Sequence, residues 1–200
     1  MKKIFRLVSD FRKKNKVTPI VLMGYLNPIL SFGIQKFFKS AKSAGTDGLI
    51  VVDVPPEEDD EIFNAAKENN IDLIKLATPT TNSERLEKIL KTCSGFLYYV
   101  SIKGITGAKS ANPKIVKNAI KNIKKNTNIP VAVGFGIKGP KDAAVIADSG
   151  CDGIVVGSAL VEIIEKSLKN KKSNHNIALK VGSMVKKIKQ KIKWIGLQNL

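Results

Sequence analysis

Three stretches of the chain set glycine beside small polar residues where an apolar run stops: KGITGA at 103–108, GFGIK at 134–138 and VGSALVEII at 156–164. A glycine has no Cβ, so a main-chain N–H there can point straight at an approaching anion. A helix starting at the end of such a loop adds the positive end of its dipole and its own unpaired N–H groups. Gly107, Gly136, Gly157 and Ser158 are therefore candidate donors to a phosphate dianion, which would lie against the backbone at Gly134 and Gly136. One such loop alone would favour a tight turn or close helix–strand packing. Three in succession, the last with a hydroxyl at a helix start, favour a phosphate.

Other chemistry has little material. His175 is the only histidine, within KNKKSNHN, and Cys93 and Cys151 are the only cysteines, without CxxC spacing. They predict no metal centre, no histidine-based triad and two reduced core thiols. Asp53 is the one carboxylate clearly ending an apolar run, which makes it a tempting base.

The loops need strands to carry them. Short β-branched runs at 18–25, 47–54, 72–78, 94–101, 129–137 and 152–158 predict strands, almost wholly apolar as in a parallel sheet covered on both faces. Helical-period segments alternate with them: 32–44 stopped by Gly45, 57–69 with acidic residues in its first turn, a capping box of Thr81 and Glu84, and starts at Pro113, Pro140 and Ser158. SAGTDGLIVVDV (43–54) and DSGCDGIVVGSA (148–159) echo one another, as stacked βα units do. Six βα units fit a doubly wound sheet or part of an eight-stranded barrel. No GxGxxG follows the first strand, and phosphate loops after the last strands are a barrel habit, so an α/β barrel is favoured. Length and composition suit one domain over residues 1–200.

The formal charge is +17. Nearly all of it is lysine spread over every predicted helix, with arginine only at Arg6, Arg12 and Arg85. Nucleic-acid readers favour the arginine fork and a basic stripe interleaved with aromatics, so neither nucleic acid nor an anionic membrane is expected as a partner. The apolar runs are too short to cross a bilayer, and the lysine-rich start is not followed by an apolar signal core. The expected location is the cytoplasm.

MGYLNPILSFG, GLIVVDVPPEE, GFLYYVSIKGITGA, VGFGIKGPKDA and GIVVGSALVEIIEK, in this order and spacing, resemble the tryptophan synthase alpha subunit from about residue 10 onward. DVPPEE and the aromatic strand leading to GITGA are the most specific pieces. The resemblance implies an incomplete TIM (β/α)8 barrel of about six parallel strands, the third to eighth of the family's eight. It implies a lyase splitting indole-3-glycerol phosphate into indole and glyceraldehyde 3-phosphate, with no cofactor in this subunit. The partner is a beta subunit that carries pyridoxal phosphate. By matching position, Gly107, Gly136, Gly157 and Ser158 hold the substrate phosphate, and Tyr98, Phe135, Tyr25 and Ile50 line the indole pocket. Other phosphate-binding barrels, such as indole-glycerol-phosphate synthase or a sugar-phosphate isomerase of histidine synthesis, share only GFG and VGSA.

The sequence departs from the family where catalysis is concerned. The family's two catalytic carboxylates belong upstream of the first strand seen here, and MKKIFRLVSDFRKKNKV before Thr18 reads as the tail of a helix. Neither Asp10 nor Asp53 matches either position, so no catalytic residue is assigned and the chain by itself is expected to be a poor lyase. The alternative is a non-catalytic chain that docks on the beta subunit and regulates it through KGITGAKSANPK and DVPPEE. The strand edges at both ends are expected to be unpaired and to attract other chains.

Overall fold

The computed structural model describes residues 1–101, 112–134, 136–170 and 173–192. In chain order its elements are α1 (Lys2–Arg12), β1 (Val21–Gly24), α2 (Leu26–Phe32), α3 (Ile34–Ala44), β2 (Gly48–Val51), α4 (Asp60–Glu68), β3 (Asp72–Leu73), β4 (Lys75–Ala77), α5 (Ser83–Lys91), β5 (Leu97–Val100), α6 (Pro113–Ile123), β6 (Val131–Gly134), α7 (Pro140–Ala147), β7 (Gly153–Val155), α8 (Ser158–Lys169) and α9 (Asn174–Lys191). This is an α/β fold with strands in two sheets, ordered β1-β2-β3 and β4-β5-β6-β7. The chain forms two compact units: Met1–Leu76 with Asn82–Leu97, and Ala77–Thr81 with Tyr98–Leu200.

In the first unit, β1, β2 and β3 run parallel, with Val21 opposite Gly48 and Leu49 opposite Leu73. The central strand β2 is buried throughout, whereas β1 at the edge is half-buried and exposes Met23. Apolar positions three and four apart put Phe37, Phe38 and Ala41 on one side of α3, where they meet Phe5 and Val8 of α1 in a common core with Leu49 and Leu73. The Phe5 and Phe37 rings lie 5.5 Å apart between centroids. Arg12 at the end of α1 fastens this packing, donating from Nε to the Gly45 carbonyl and from a terminal nitrogen to that of Thr18, both at 2.7 Å, and pairing with Asp47.

Four expected boundaries move, each for an identifiable reason. The helix foreseen over 32–44 is α3, which starts at Ile34 because Gly33, at φ +87°, separates it from α2, a short helix that was not foreseen. The helix foreseen from 57 opens at Asp60, since Pro55 to Glu58 form a turn closed by Glu58 N–H to Pro55 O. The strand foreseen over 72–78 divides at Ile74. Ser94 takes both main-chain groups of Leu73, its Oγ accepting from Leu73 N–H and its N–H donating to Leu73 O, as a neighbouring strand would. Asn82, not Thr81, caps α5, its side chain accepting from Arg85 N–H at 2.9 Å, while Thr81 Oγ1 accepts from Thr78 N–H one turn earlier.

In the second unit, β6 and β7 are parallel, with Ala132 opposite Gly153 and Gly134 opposite Val155. All four β6 residues are buried, but β7, at the end of its sheet, is only half-buried. Pro113 and Pro140 begin α6 and α7 as expected, after Asn112 and Gly139. α9 packs against α7 and α8. Among the described residues, no helix is long and apolar enough to cross a membrane.

Candidate functional site

The register of β6 and β7 decides where the glycine loops go. Because Gly134 pairs with Val155, the segments leaving the two strands start side by side, Gly136 two residues beyond one and Gly157 two residues beyond the other. Gly136 has φ +76°, a conformation in which a side chain is strained. Gly157 is exposed, and a Cβ built on it would meet nothing within 4 Å, so its backbone faces open space. Ser158, also exposed, is the first residue of the twelve-residue α8. The helix ladder begins with Leu160 N–H and Val161 N–H donating to Gly157 O, which leaves the Ser158 and Ala159 amides ahead of it. Gly136, Gly157 and Ser158 are thus three of the four expected phosphate donors on two adjoining strand ends. Gly107 and Phe135 lie outside the described residues.

Gly134 has a different reason to be glycine from the one its motif suggests. A Cβ there would overlap the Tyr98 ring, 2.5 Å from Cε2 and 2.7 Å from Cζ, and would also strike the hydroxyl. The neighbour that excludes a side chain is this aromatic ring. The Gly134 carbonyl is engaged as well, accepting from Ser101 N–H at 3.1 Å and Ser101 Oγ at 2.7 Å. Tyr98 is 5 % exposed, and burial raises its phenol above the usual range. Tyr25 and Ile50 belong to the other unit, at the end of β1 and within β2. Tyr25 is 63 % exposed and Ile50 is buried.

Asp53 is committed to the backbone: its Oδ1 accepts from Leu26 N–H at 2.8 Å, at the first residue of α2. Asp10 lies on the surface of α1 between Arg6 and Lys13, and the Lys13 ammonium holds its carboxyl below the ordinary range. Cys93 and Cys151 are free and buried, and burial pushes both thiols up. Among the described residues, no group of three or more His, Cys, Asp or Glu could hold a metal.

One polar cluster escaped the sequence reading. Lys75 opens β4, and its ammonium pairs with the fully buried Asp59, which also accepts from Thr92 Oγ1 at 2.9 Å. The second carboxylate oxygen of Asp59 is buried without a partner. The available signal was a lysine inside the otherwise apolar DLIKLAT. A cavity of about 330 Å³ lies between α8 and α9, lined by Ile163, Lys166, Lys180 and Met184 among others, and includes none of the expected site residues.

A family model described as tryptophan synthase alpha chain matches residues 1–193. The chain belongs to the tryptophan synthase alpha chain family. Among solved structures it is similar to tryptophan synthase subunit alpha from Legionella pneumophila str. Paris, with a TM-score of 0.86, 36 % identity, and coverage of 96 % of this chain and 69 % of that one. It is also similar to a chain of the tryptophan synthase complex from Pyrococcus furiosus, with a TM-score of 0.82, 34 % identity, and coverage of 95 % and 73 %. A second Pyrococcus furiosus structure, of the tryptophan synthase α2β2 complex, matches with a TM-score of 0.82, 35 % identity, and coverage of 94 % and 73 %. Tryptophan synthase alpha chains are lyases of tryptophan biosynthesis built on TIM barrels, which agrees with the parallel strand pairs here.

Proposed function

We propose that this chain binds indole-3-glycerol phosphate, the substrate its family converts to indole and glyceraldehyde 3-phosphate, and works with a beta subunit that carries the pyridoxal phosphate. The phosphate is held by main-chain amides at Gly107, Gly136 and Gly157 and by Ser158. The residues that the family resemblance assigns to the indole are Tyr98 and Phe135 and, in the other unit, Tyr25 and Ile50. The fold reading that goes with it is one domain over residues 1–200, carrying the third to eighth strands of the family barrel, in a cytoplasmic enzyme. The observation that carries the proposal is the pairing of Gly134 with Val155, which starts the Gly136 loop beside Gly157 and the N-terminus of α8. Two glycine backbones and a helix start on adjoining strand ends suit a dianion better than any neutral group.

Titrating the chain with glycerol 3-phosphate tests this. Binding is expected to weaken at least about tenfold when Gly157→Val places a branched side chain over the open backbone, a loss of about 1.4 kcal/mol. Equal affinity in both proteins refutes the cradle.

A second reading, a chain that regulates the beta subunit without catalysing, is favoured by Asp53. This strand-ending carboxylate is already engaged with Leu26 N–H. It predicts faster conversion of indole to tryptophan by the beta subunit on adding this chain, with no indole released from indole-3-glycerol phosphate. Indole release at the rate of a complete alpha subunit excludes it.

A further inference from the structure

α9 packs against α8 and leaves a cavity of about 330 Å³ between them, beside the second half of α8. That volume falls at the small end of the range of about 300–1,000 Å³ in which small-molecule sites lie. Ile163 of α8 and Met184 of α9, both half-buried, give it apolar walls. Ser167 lines it too, and at 2 % exposure it is the one buried residue of α8. A serine inside a helix often bonds back to the carbonyl four residues earlier, as Ser31 does to Asn27. Ser167 Oγ has no hydrogen-bond partner among the described residues, so a buried hydroxyl is left for whatever enters the cavity.

The rim is cationic, and its charges are not equally available. Lys166 is matched on its own helix by Glu162, 2.5 Å away, and the other acid of α8, Glu165, is taken by Lys169 at 2.6 Å. α9 has no acidic residue, and among the described residues neither Lys180 nor Lys187 forms an ion pair. With Met184 between them, at i, i+4 and i+7, the two lysines stand on one side of α9. A neutral ligand would use only the apolar walls, and a bare anion only the rim. We propose that the α8–α9 cavity binds a small amphipathic anion, its apolar body against Ile163 and Met184 and its anionic head held by Lys180, Lys187 and the Ser167 hydroxyl. None of these residues belongs to the phosphate cradle at the first residue of α8, so the two sites stand or fall separately.

The test is an NMR titration of the isotopically labelled chain with sodium octanoate, beside octanol as the apolar body alone and acetate as the head alone. Octanoate is expected to bind saturably, with shift changes at Ser167, Lys180, Met184 and Lys187, and at least about tenfold more tightly than either fragment. Lys180→Gln with Lys187→Gln is expected to weaken octanoate at least about tenfold and to leave octanol unchanged, because only the charge-assisted contacts are lost. Both lysines are exposed, so circular dichroism of this variant is expected to match the parent. Ser167→Ala is expected to weaken octanoate about three- to tenfold through the lost hydrogen bond. Added salt is expected to weaken octanoate and spare octanol. Octanol binding as tightly as octanoate, a lysine double variant binding as well as the parent, or the absence of saturable binding overturns the proposal. So do shifts centred on Gly157 and Ser158, which would place the anion in the phosphate cradle instead.

Discussion

Replacing Gly134 with alanine separates a packing glycine from a ligand-facing one. The new Cβ would sit 2.5 Å from Tyr98 Cε2, where ordinary contact begins at 3.4 Å, so the ring must retreat by about 0.9 Å. Tyr98 is 5 % exposed in a strand, and the Gly134 carbonyl is tied to Ser101, so neither side yields without distortion. Overpacking of this kind costs about 1–3 kcal/mol. Urea denaturation of Gly134→Ala should show that loss as a lower midpoint at unchanged slope. In a Tyr98→Ala background, itself destabilised by about 3–5 kcal/mol, the same substitution should cost under about 0.5 kcal/mol, giving a coupling of about 0.5–3 kcal/mol. Gly157→Ala, whose Cβ meets nothing within 4 Å, should change stability by less than about 0.5 kcal/mol. A Gly134→Ala cost that is the same with and without the Tyr98 ring refutes the reasoning.

Two further outcomes follow from buried groups. Lys75→Met should destabilise by about 3–5 kcal/mol, because it leaves the fully buried Asp59 carboxylate with Thr92 as its remaining partner, and adding Asp59→Leu should recover much of the loss in urea melts. Cys93 and Cys151 hold their protons more tightly when folded than unfolded. Their contribution to stability is therefore complete below the ordinary thiol pKa and fades as pH rises above about 8.5 toward their folded values. Melts of Cys93→Ala with Cys151→Ala should lose less stability than the parent between neutral and strongly alkaline pH, and an identical decline in both proteins contradicts this.

The sequence was most legible where one local pattern suffices. Apolar runs bounded by glycine located β1, β2, β5, β6 and β7, and prolines located the starts of α6 and α7. It misled where a residue's partner is remote in sequence. Gly134 reads as part of a phosphate motif, but what excludes its side chain is a ring 36 positions earlier, at Tyr98. Nothing local announced that Ser94 would stand in for a strand beside Leu73 and divide 72–78. Lys75 sat in plain view within an apolar strand, but its counter-charge at Asp59 reads as one more acid near a helix start. The adjacency of the Gly136 and Gly157 loops was legible because successive parallel strands in one sheet leave it on the same side.

Arg12 gives the lysine-rich surface its boundary. Its fork reaches a carbonyl in the α3–β2 turn, another ahead of β1 and the Asp47 carboxylate, three directions that a single ammonium cannot serve at once. Arg85 reaches both oxygens of Glu57 from one terminal nitrogen, at 3.1 and 3.3 Å, a contact that an ammonium could also make. Lysine can thus replace arginine at Arg85 while preserving net charge, yet at Arg12 it would unpick a joint that depends on shape.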